Sequence, residues 1–469
     1  MAGIGIQLNK IFDKHTVTAS IYGIGFSIMY TIAPMLVVVV SLLTMYRILG
    51  FDVVEYQERE LFSSSIIYIF IFSLLTSAPF STVISKYLSD RIFEQRYDDI
   101  RPCIYVGTIS NLTLSSVIAI PFYICEVLIG QVPSYYVFTT YMLYLGLTLT
   151  FSSMLYNSIL KEYKKISLLF VSCMGLAILL SIVFRYIMDF SVTYSMLLAM
   201  AIGSLLIASL ELANVIRYFP GNSRNYRAVL RYYGKHWGLI VSNTLYTTGL
   251  FVHNFVFWAQ PWHMVIRNVY YCNQPYDMAT CLAMLMNVSA NVLFISRLEM
   301  HFHSRYKEYT DCVIGGKLDR IEKAKARMFR GMSNQIMSLV YMQFMIAIAV
   351  FLLAVVVLPL FGFSGMVMEI FPQLAVGYFI SYLMYAELLF LYYFDDITGA
   401  LINGFLFFTG TLVGSIISSG LPVIWYGSGF TAGSFLAFTF SYFRLSWIEK
   451  NLDSFVFCRG SVLMQVKEE

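Results

Sequence analysis

Apolar residues in this chain come in long unbroken runs, each about 20 residues or longer, separated by short polar stretches. No series of ten-residue alternating segments, the mark of a membrane barrel, is present. In lipid every backbone N–H and C=O must be satisfied within the chain, so runs of this length read as helices. The pattern predicts an all-α polytopic membrane protein with twelve spans. They fall at about 17–46, 62–84, 103–129, 134–160, 166–188, 191–216, 236–260, 277–300, 331–360, 365–394, 397–419 and 421–443.

The polar stretches divide the chain. Arg217–Lys235 holds five cations, no anion and the pair Pro220-Gly221, and it sits close to the middle. It predicts a cytoplasmic link (217–235) between two six-helix lobes, 1–216 and 236–445. Residues 301–330 form the longest polar stretch, a cytoplasmic insert in which 318–328 reads as a charged surface helix. Residues 446–469 read as a cytoplasmic tail. At the start, Ile4, Leu8, Ile11 and Phe12 share one helical face of Ile4–His15, which predicts a short helix lying on the membrane surface. That segment lacks the apolar core and small-residue cleavage site of a signal peptide, so the first span is expected to be retained.

Charge orients the helices. With the N-terminus inside, 27 of the 31 lysines and arginines fall on inner segments, and only Arg47, Arg59, Arg185 and Arg267 fall outside. This is a strong positive-inside signal, and an even number of spans puts both termini in the cytoplasm. The split also supports the span count, because one missed helix would invert every later loop. Composition agrees: 58% of the 469 residues are hydrophobic and 12% charged, about half the charge of a soluble protein. A net charge of +4 gives no reason to expect nucleic acid. The seven cysteines are scattered without a CxxC pair and read as small apolar helix residues.

No enzyme signature appears: there is no GxxxxGK[ST], no HExxH and no carboxylate pair at a catalytic spacing. The chain is therefore expected not to be an enzyme and to need no cofactor or metal. Asp395-Asp396 reads as a charged helix end. Glu299, His301 and His303 read as a solvated helix end, since only Glu299 and His303 share a face. Ionisable groups inside lipid cost roughly 2.5–3.5 kcal/mol and normally face a cavity or a partner. Glu387 is the clearest case, in the tenth span. His253 and Asn254 lie mid-span in the seventh, and Asn287 and Asn291 share a face of the eighth. Asn403 is a further polar residue within the eleventh span, and Glu126 and Glu211 lie nearer span ends. Amides of this kind also serve as interhelical hydrogen bonds. Tyrosines number 35, and Tyr382 and Tyr385 lie beside Glu387. Aromatic rings with a polar tip suit membrane interfaces and packing, and equally a path for sugars.

Several stretches resemble the PelG family of exopolysaccharide export proteins, which is placed with the flippase-like MATE/MOP superfamily. MAGIGIQL resembles the family's MAGIGFEL start, and KYLSDRIFEQR (Lys86–Arg96) its SDR-[LI]-[FY] loop. SILKEYKKI (Ser158–Ile166) is similar to a G-x-K-x-Y-K-x-I segment. GLFVHNFVFW (Gly249–Trp258) is similar to GIWxDKxxFW, RLEMHF to R-x-E-T-x-F, and GGKLDRIEK (Gly315–Lys323) to GGxLxxIE. The resemblance runs from residue 1 to about 330. Two positions depart from it: His253-Asn254 stand where the family has Asp-Lys, and the glycine after span four is replaced. No role of that charged pair is carried over.

The resemblance implies export of a hexosamine-rich polymer across the bacterial cytoplasmic membrane for a biofilm matrix. It implies a PelF-like cytoplasmic glycosyltransferase as partner. It also implies PelD-like and PelE-like membrane regulators, with cyclic di-GMP bound by a partner and not by this chain. The residues expected to line the conduit are Glu387, His253, Asn254, Asn287, Asn291, Tyr382 and Tyr385. Those expected to dock the glycosyltransferase or anionic lipid are Lys86, Arg91, Arg96, Lys161, Lys164, Lys165, Arg320 and Lys323. Two alternatives stand beside this reading. One is an ion-coupled small-molecule antiporter of the MATE type, and the other is a non-transporting scaffold of the synthase complex.

Overall fold

The computed structural model describes residues 36–160, 163–293, 300–315, 317–357 and 365–459, plus positions 34 and 359; side chains at 158–164, 286–304, 307, 314 and 453–459 are excepted. The predicted surface helix at 4–15, the start of the first span and most of the tail lie outside the described residues.

Fourteen helices follow in chain order: α1 (Leu36–Leu49), α2 (Tyr56–Phe93), α3 (Ile100–Leu128), α4 (Ser134–Leu160), α5 (Tyr163–Tyr186), α6 (Val192–Tyr218), α7 (Tyr226–Lys235), α8 (Trp237–Trp258), α9 (Gln274–Leu293), α10 (Met300–Gly315), α11 (Leu318–Val357), α12 (Met366–Tyr393), α13 (Ile397–Ser419) and α14 (Ser428–Arg459). A short antiparallel hairpin, β1 (Met264–Ile266) and β2 (Tyr270–Cys272), lies between α8 and α9. Among the described residues, seven helices are long and apolar enough to cross a membrane: α2, α3, α5, α6, α11, α12 and α13. The helices α4, α8, α9 and α14 stand where spans four, seven, eight and twelve are predicted. The chain is a multi-pass helical membrane protein.

Three local features differ from the sequence reading. The predicted surface helix at 318–328 and the ninth span are one 40-residue helix, α11. The weakest helix former at their junction is Gly331, and a lone glycine costs a helix about 1 kcal/mol, too little to break it. The second span likewise continues beyond its predicted end to Phe93. The loop after α8 holds the β1–β2 hairpin, whose turn residues Arg267 and Asn268 both have positive φ, at 50° and 55°. Asparagine tolerates that region readily, which favours a reversal here. Prolines stand inside α2 (Pro79), α3 (Pro121) and α12 (Pro372). Each removes a backbone donor, which membrane helices tolerate where neighbours take over the freed carbonyl.

The described chain forms two compact units, Met1–Asp277 and Met278–Glu469. In the first, α2 packs against α3, α4 and α8, α4 packs on α6, and α5 on α6. Phe62, Leu143, Met196 and Ala199 lie in the apolar core. Threaded through it are hydroxyls and amides that bond across helices: Asn111 to Ser152 (2.8 Å), and Tyr144 to Thr76 (3.0 Å). Where lipid is as apolar as the core, such bonds and close packing hold helices together, since burial of apolar surface gains little. In the second unit α12 is the central helix, with 72% of its apolar window buried against 11% for α11. The helices α13 and α14 cross at glycines. A Cβ on Gly410 would meet Gly433 Cα at 3.0 Å, and one on Gly414 would meet Gly429 Cα at 2.9 Å. Small residues let the two backbones touch, and at this crossing any side chain would collide with main chain.

Candidate functional site

Buried ionisable groups are the most informative features of a membrane interior. Among the described residues the buried ionisable groups on the helices and their turns include Glu126, Glu211, Asp277, Glu387 and Asp396, with Glu60 near the start of α2 and His253 on α8. Their partners sort them by role.

Asp277 is saturated. It opens α9 one turn after Asn273, whose Oδ1 accepts from the Tyr276 N–H (3.3 Å), while Asp277 Oδ2 accepts from the Asn273 N–H (3.1 Å). This reciprocal cap satisfies two of the free donors at the helix start, where a carboxylate also favours the helix dipole. The same carboxyl accepts from Asn254 Nδ2 (2.8 Å) and from Trp258 Nε1 (2.9 and 3.0 Å). One turn away, His253 Nδ1 lies 2.9 Å from the Tyr276 hydroxyl. The conduit candidates His253 and Asn254 are thus brought together on α8, and both join it to the first turn of α9. Both are buried.

Asp396 is also paired. It is fully buried at the α12–α13 turn and receives two hydrogen bonds from Arg444 of α14, Nε at 2.6 Å and Nη2 at 3.0 Å. Arg444 also lies over the Trp447 ring, 4.6 Å from its centroid. What reads in sequence as a charged helix end is an ion pair joining two helices. Its partner Arg444 lies 48 residues away in the chain, so no local pattern signals it.

Glu126, Glu211 and Glu387 have no arginine or lysine partner among the described residues. Glu126 Oε1 accepts from the Tyr270 hydroxyl of β2 (3.0 Å), and its Oε2 has no partner among the described residues. Glu211 accepts from Ser153 (2.5 Å), and its Oε1 has none. Glu387 accepts from Ser441 of α14 (2.5 Å). Each carboxyl is held by a hydroxyl in place of a cation, and Glu126 and Glu211 each keep an oxygen that no described neighbour fills.

Around Glu126 the first unit is aromatic. Tyr68 stacks on Trp258 (4.6 Å, 5°) and meets Tyr270 edge-on (5.0 Å). Phe122 packs on both Tyr68 and Tyr270. The hairpin is stitched to α2 by Tyr68, whose hydroxyl donates to the Tyr271 carbonyl (2.7 Å) and accepts from its N–H (3.0 Å). Along α3, Leu112, Thr113, Ser116, Val117, Ile120 and Pro121 line an open groove of about 570 Å³, with Ser116 2.9 Å from the Tyr141 hydroxyl.

Of the other conduit candidates, Tyr382 is buried and Tyr385 half-buried, both on α12 with Glu387. Asn287 and Asn291 are carried on α9, and their side chains lie outside the described residues. Among the docking candidates, Arg96, Lys165, Arg320 and Lys323 are exposed, and Lys323 pairs with Asp319 (2.8 Å). Lys86 and Arg91 are half-buried; Arg91 pairs with Glu94 and lies over Tyr87. Lys161 and the side chain of Lys164 lie outside the described residues, as do Glu299 and the side chains of His301 and His303. No cluster of metal-binding side chains occurs among the described residues.

Sequence reasoning placed Glu126 and Glu211 near span ends and did not single out Asp277, Tyr68, Trp258 or Tyr270. The signal for Tyr270 was the Tyr-Tyr-Cys run that follows Arg267-Asn268-Val269, which is hairpin-like but short; Tyr68 and Trp258 carried none.

The fold is that of MATE/MOP transporters. It is similar to an outward-facing multidrug resistance MATE family transporter, with a TM-score of 0.56 and 17% identity over 90% of this chain and 96% of that one. A MATE protein in the bent conformation matches with a TM-score of 0.56 and 15% identity, over 91% of this chain and 96% of that one. A MOP superfamily transporter from Pyrococcus furiosus matches with a TM-score of 0.53 and 18% identity, over 90% and 95%. No curated protein matches the sequence. The family model of the PelG exopolysaccharide exporters (EPS-E) matches residues 1–457, nearly the whole length, and the chain belongs to that family.

Proposed function

We propose that this protein carries a hexosamine-rich exopolysaccharide across the bacterial cytoplasmic membrane as the polymer is made by a cytoplasmic glycosyltransferase. The observation that carries the reading is the family match across residues 1–457. The interior is consistent with it. Its polar groups are hydroxyls, amides and carboxyls set among aromatic rings, and they suit a neutral polymer better than a charged one. The 27-to-4 division of cations supports a placement with both termini in the cytoplasm. Exposed cations on the inner segments, Arg96, Lys165, Arg320 and Lys323 among them, offer a docking surface for the glycosyltransferase.

Deleting the gene tests the reading. Secreted hexosamine polymer disappears and returns on complementation with the wild-type gene. Undiminished secretion in the deletion strain refutes export by this chain. A second reading, ion-coupled antiport of a small molecule, is favoured by Glu387, a buried carboxyl held by a hydroxyl. It predicts substrate-dependent proton flux in proteoliposomes that Glu387→Gln abolishes.

A further inference from the structure

The basic stretch in the middle of the chain reads in sequence as a link. In the structure it is folded and fastened. Arg101 of α3 donates to the carbonyls of Ile216 (2.7 Å) and Phe219 (2.5 Å), closing the open C-terminal end of α6. The Ser223 N–H donates to the Asp98 carbonyl (3.0 Å), and Gly221 lies so close to Asp98 that a Cβ would overlap its carboxyl. The helix α7 follows, with Val229 and Tyr233 buried. Tyr233 stacks on Phe80 (5.5 Å), and the Tyr232 hydroxyl donates to Asp90 (2.5 Å).

The opposite face of α7 carries Arg227, Leu230, Arg231 and Lys235, all exposed, with Arg224 and Tyr226 before it and Trp237 after it. Leu230 is 55% exposed and Trp237 60%. No anion occurs between Arg217 and Lys235. Among the described residues no ion pair engages Arg224, Arg227, Arg231 or Lys235. Connectivity fixes the depth. The spanning helix α6 ends at Tyr218, and α8 begins at Trp237, two residues after α7 ends. The outer face of α7 therefore sits at headgroup level, where Trp and Tyr concentrate and where a helix with cations beside apolar side chains lies in the membrane plane.

From this geometry we infer that α7 is an interfacial helix whose outer face binds the anionic phospholipid headgroups of the inner leaflet through Arg224, Arg227, Arg231 and Lys235, with Leu230 and Trp237 inserted beneath them. Its inner face is meanwhile locked to α2 and α3. The stretch that joins α6 to α8 is then not a slack tether. It is held by its own unit on one side and by lipid on the other. Charge selects anionic over zwitterionic lipid, since each cation at the surface of an anionic membrane is worth roughly a fivefold preference.

The test uses the full chain. Native mass spectrometry counts phosphatidylglycerol and phosphatidylcholine retained from an equimolar mixture by the wild type, by Arg227→Ala/Arg231→Ala and by Leu230→Glu. A quencher assay on Leu230→Cys, labelled after the native cysteines are changed to serine, compares lipid-borne with water-soluble quencher in nanodiscs of the same lipids. The expected result is a fall in phosphatidylglycerol preference of roughly fivefold for each arginine removed, at unchanged melting temperature. The label at 230 is expected to be quenched from the lipid side. Unchanged lipid preference overturns the inference, and so does a label reached only from water. Loss of a co-purifying protein from the arginine variant without any change in lipid preference overturns it in favour of protein docking.

Discussion

Arg444 on α14 grips Asp396 at the α12–α13 turn with two hydrogen bonds, Nε to Oδ2 at 2.6 Å and Nη2 to Oδ1 at 3.0 Å. Asp396 is fully buried, while the Arg444 side chain is 24% exposed. Breaking such a pair from the arginine side strands a buried carboxylate, and that loss exceeds what the intact pair contributes. Arg444→Ala should lower stability by roughly 3 kcal/mol, and Asp396→Asn in the same chain should recover part of it. Thermal unfolding of the detergent-solubilised variants checks both. Equal melting temperatures for the single variant and wild type contradict the assignment.

Glu387 presents the opposite case, a buried carboxyl whose Oε2 meets the Ser441 hydroxyl at 2.5 Å. Glu387→Gln keeps the shape and an acceptor for Ser441, so the fold should survive. If the carboxyl belongs to the transport path, secretion of polymer should drop severalfold in this variant while its expression and melting temperature hold. Ser441→Ala should lose about 1 kcal/mol of stability with a smaller effect on secretion. Full secretion by Glu387→Gln would remove Glu387 from the conduit.

The glycines where α13 meets α14 allow no substitution. A Cβ at Gly429 falls on the backbone of Gly414 and Ser415, and helix main chain cannot step aside as a flexible side chain can. Gly429→Val should destabilise the second unit by about 3 kcal/mol or more. Gly331, with open space around it on α11, is the control, and Gly331→Ala should be neutral or stabilising. Comparable melting temperatures for the two variants would mean that the crossing is not close.

Cys272 lies in β2, beyond the membrane-spanning helices, with the Ser64 hydroxyl 3.7 Å from its sulfur. Burial pushes its thiol up to about 11, opposed by the Ser64 contact. The thiolate is the reactive form, so alkylation should be slow at neutral pH and climb about tenfold per pH unit up to the region of pH 10. An ordinary thiol levels off above about pH 8.5. Mass-spectrometric alkylation rates of a chain retaining only Cys272 give the profile. A plateau near pH 8.5 would place the hairpin away from α2.

Much of this architecture is written in hydropathy. Long apolar runs specify helices because lipid leaves the backbone no other way to satisfy itself, and the described helices fall where those runs do. Glu387 stands out in sequence for the same reason, as a carboxyl inside an apolar run. What hydropathy cannot carry is partnership across the chain. Asn254 and His253 read as a polar pair in mid-span, and only the fold shows them bonded to Asp277 and Tyr276. Asp277 drew no notice because a carboxylate after a loop is ordinary until three helix and loop donors converge on it. The Gly414–Gly429 contact likewise depends on the register between two helices, and glycines at four-residue spacing are common enough to pass unmarked. The central basic stretch was legible as charge, but its fastening through Arg101, Asp98 and Asp90 was not.

Translocation itself is the central claim, and inside-out membrane vesicles measure it most directly. Vesicles from cells with and without this chain are given labelled nucleotide-activated N-acetylhexosamine, so that polymer is made on the outer, formerly cytoplasmic face. Added glycosidase then digests whatever has not entered the lumen. The account predicts a glycosidase-resistant polymer fraction that requires the chain and vanishes on detergent lysis. Polymer that is equally digestible with and without the chain would contradict it.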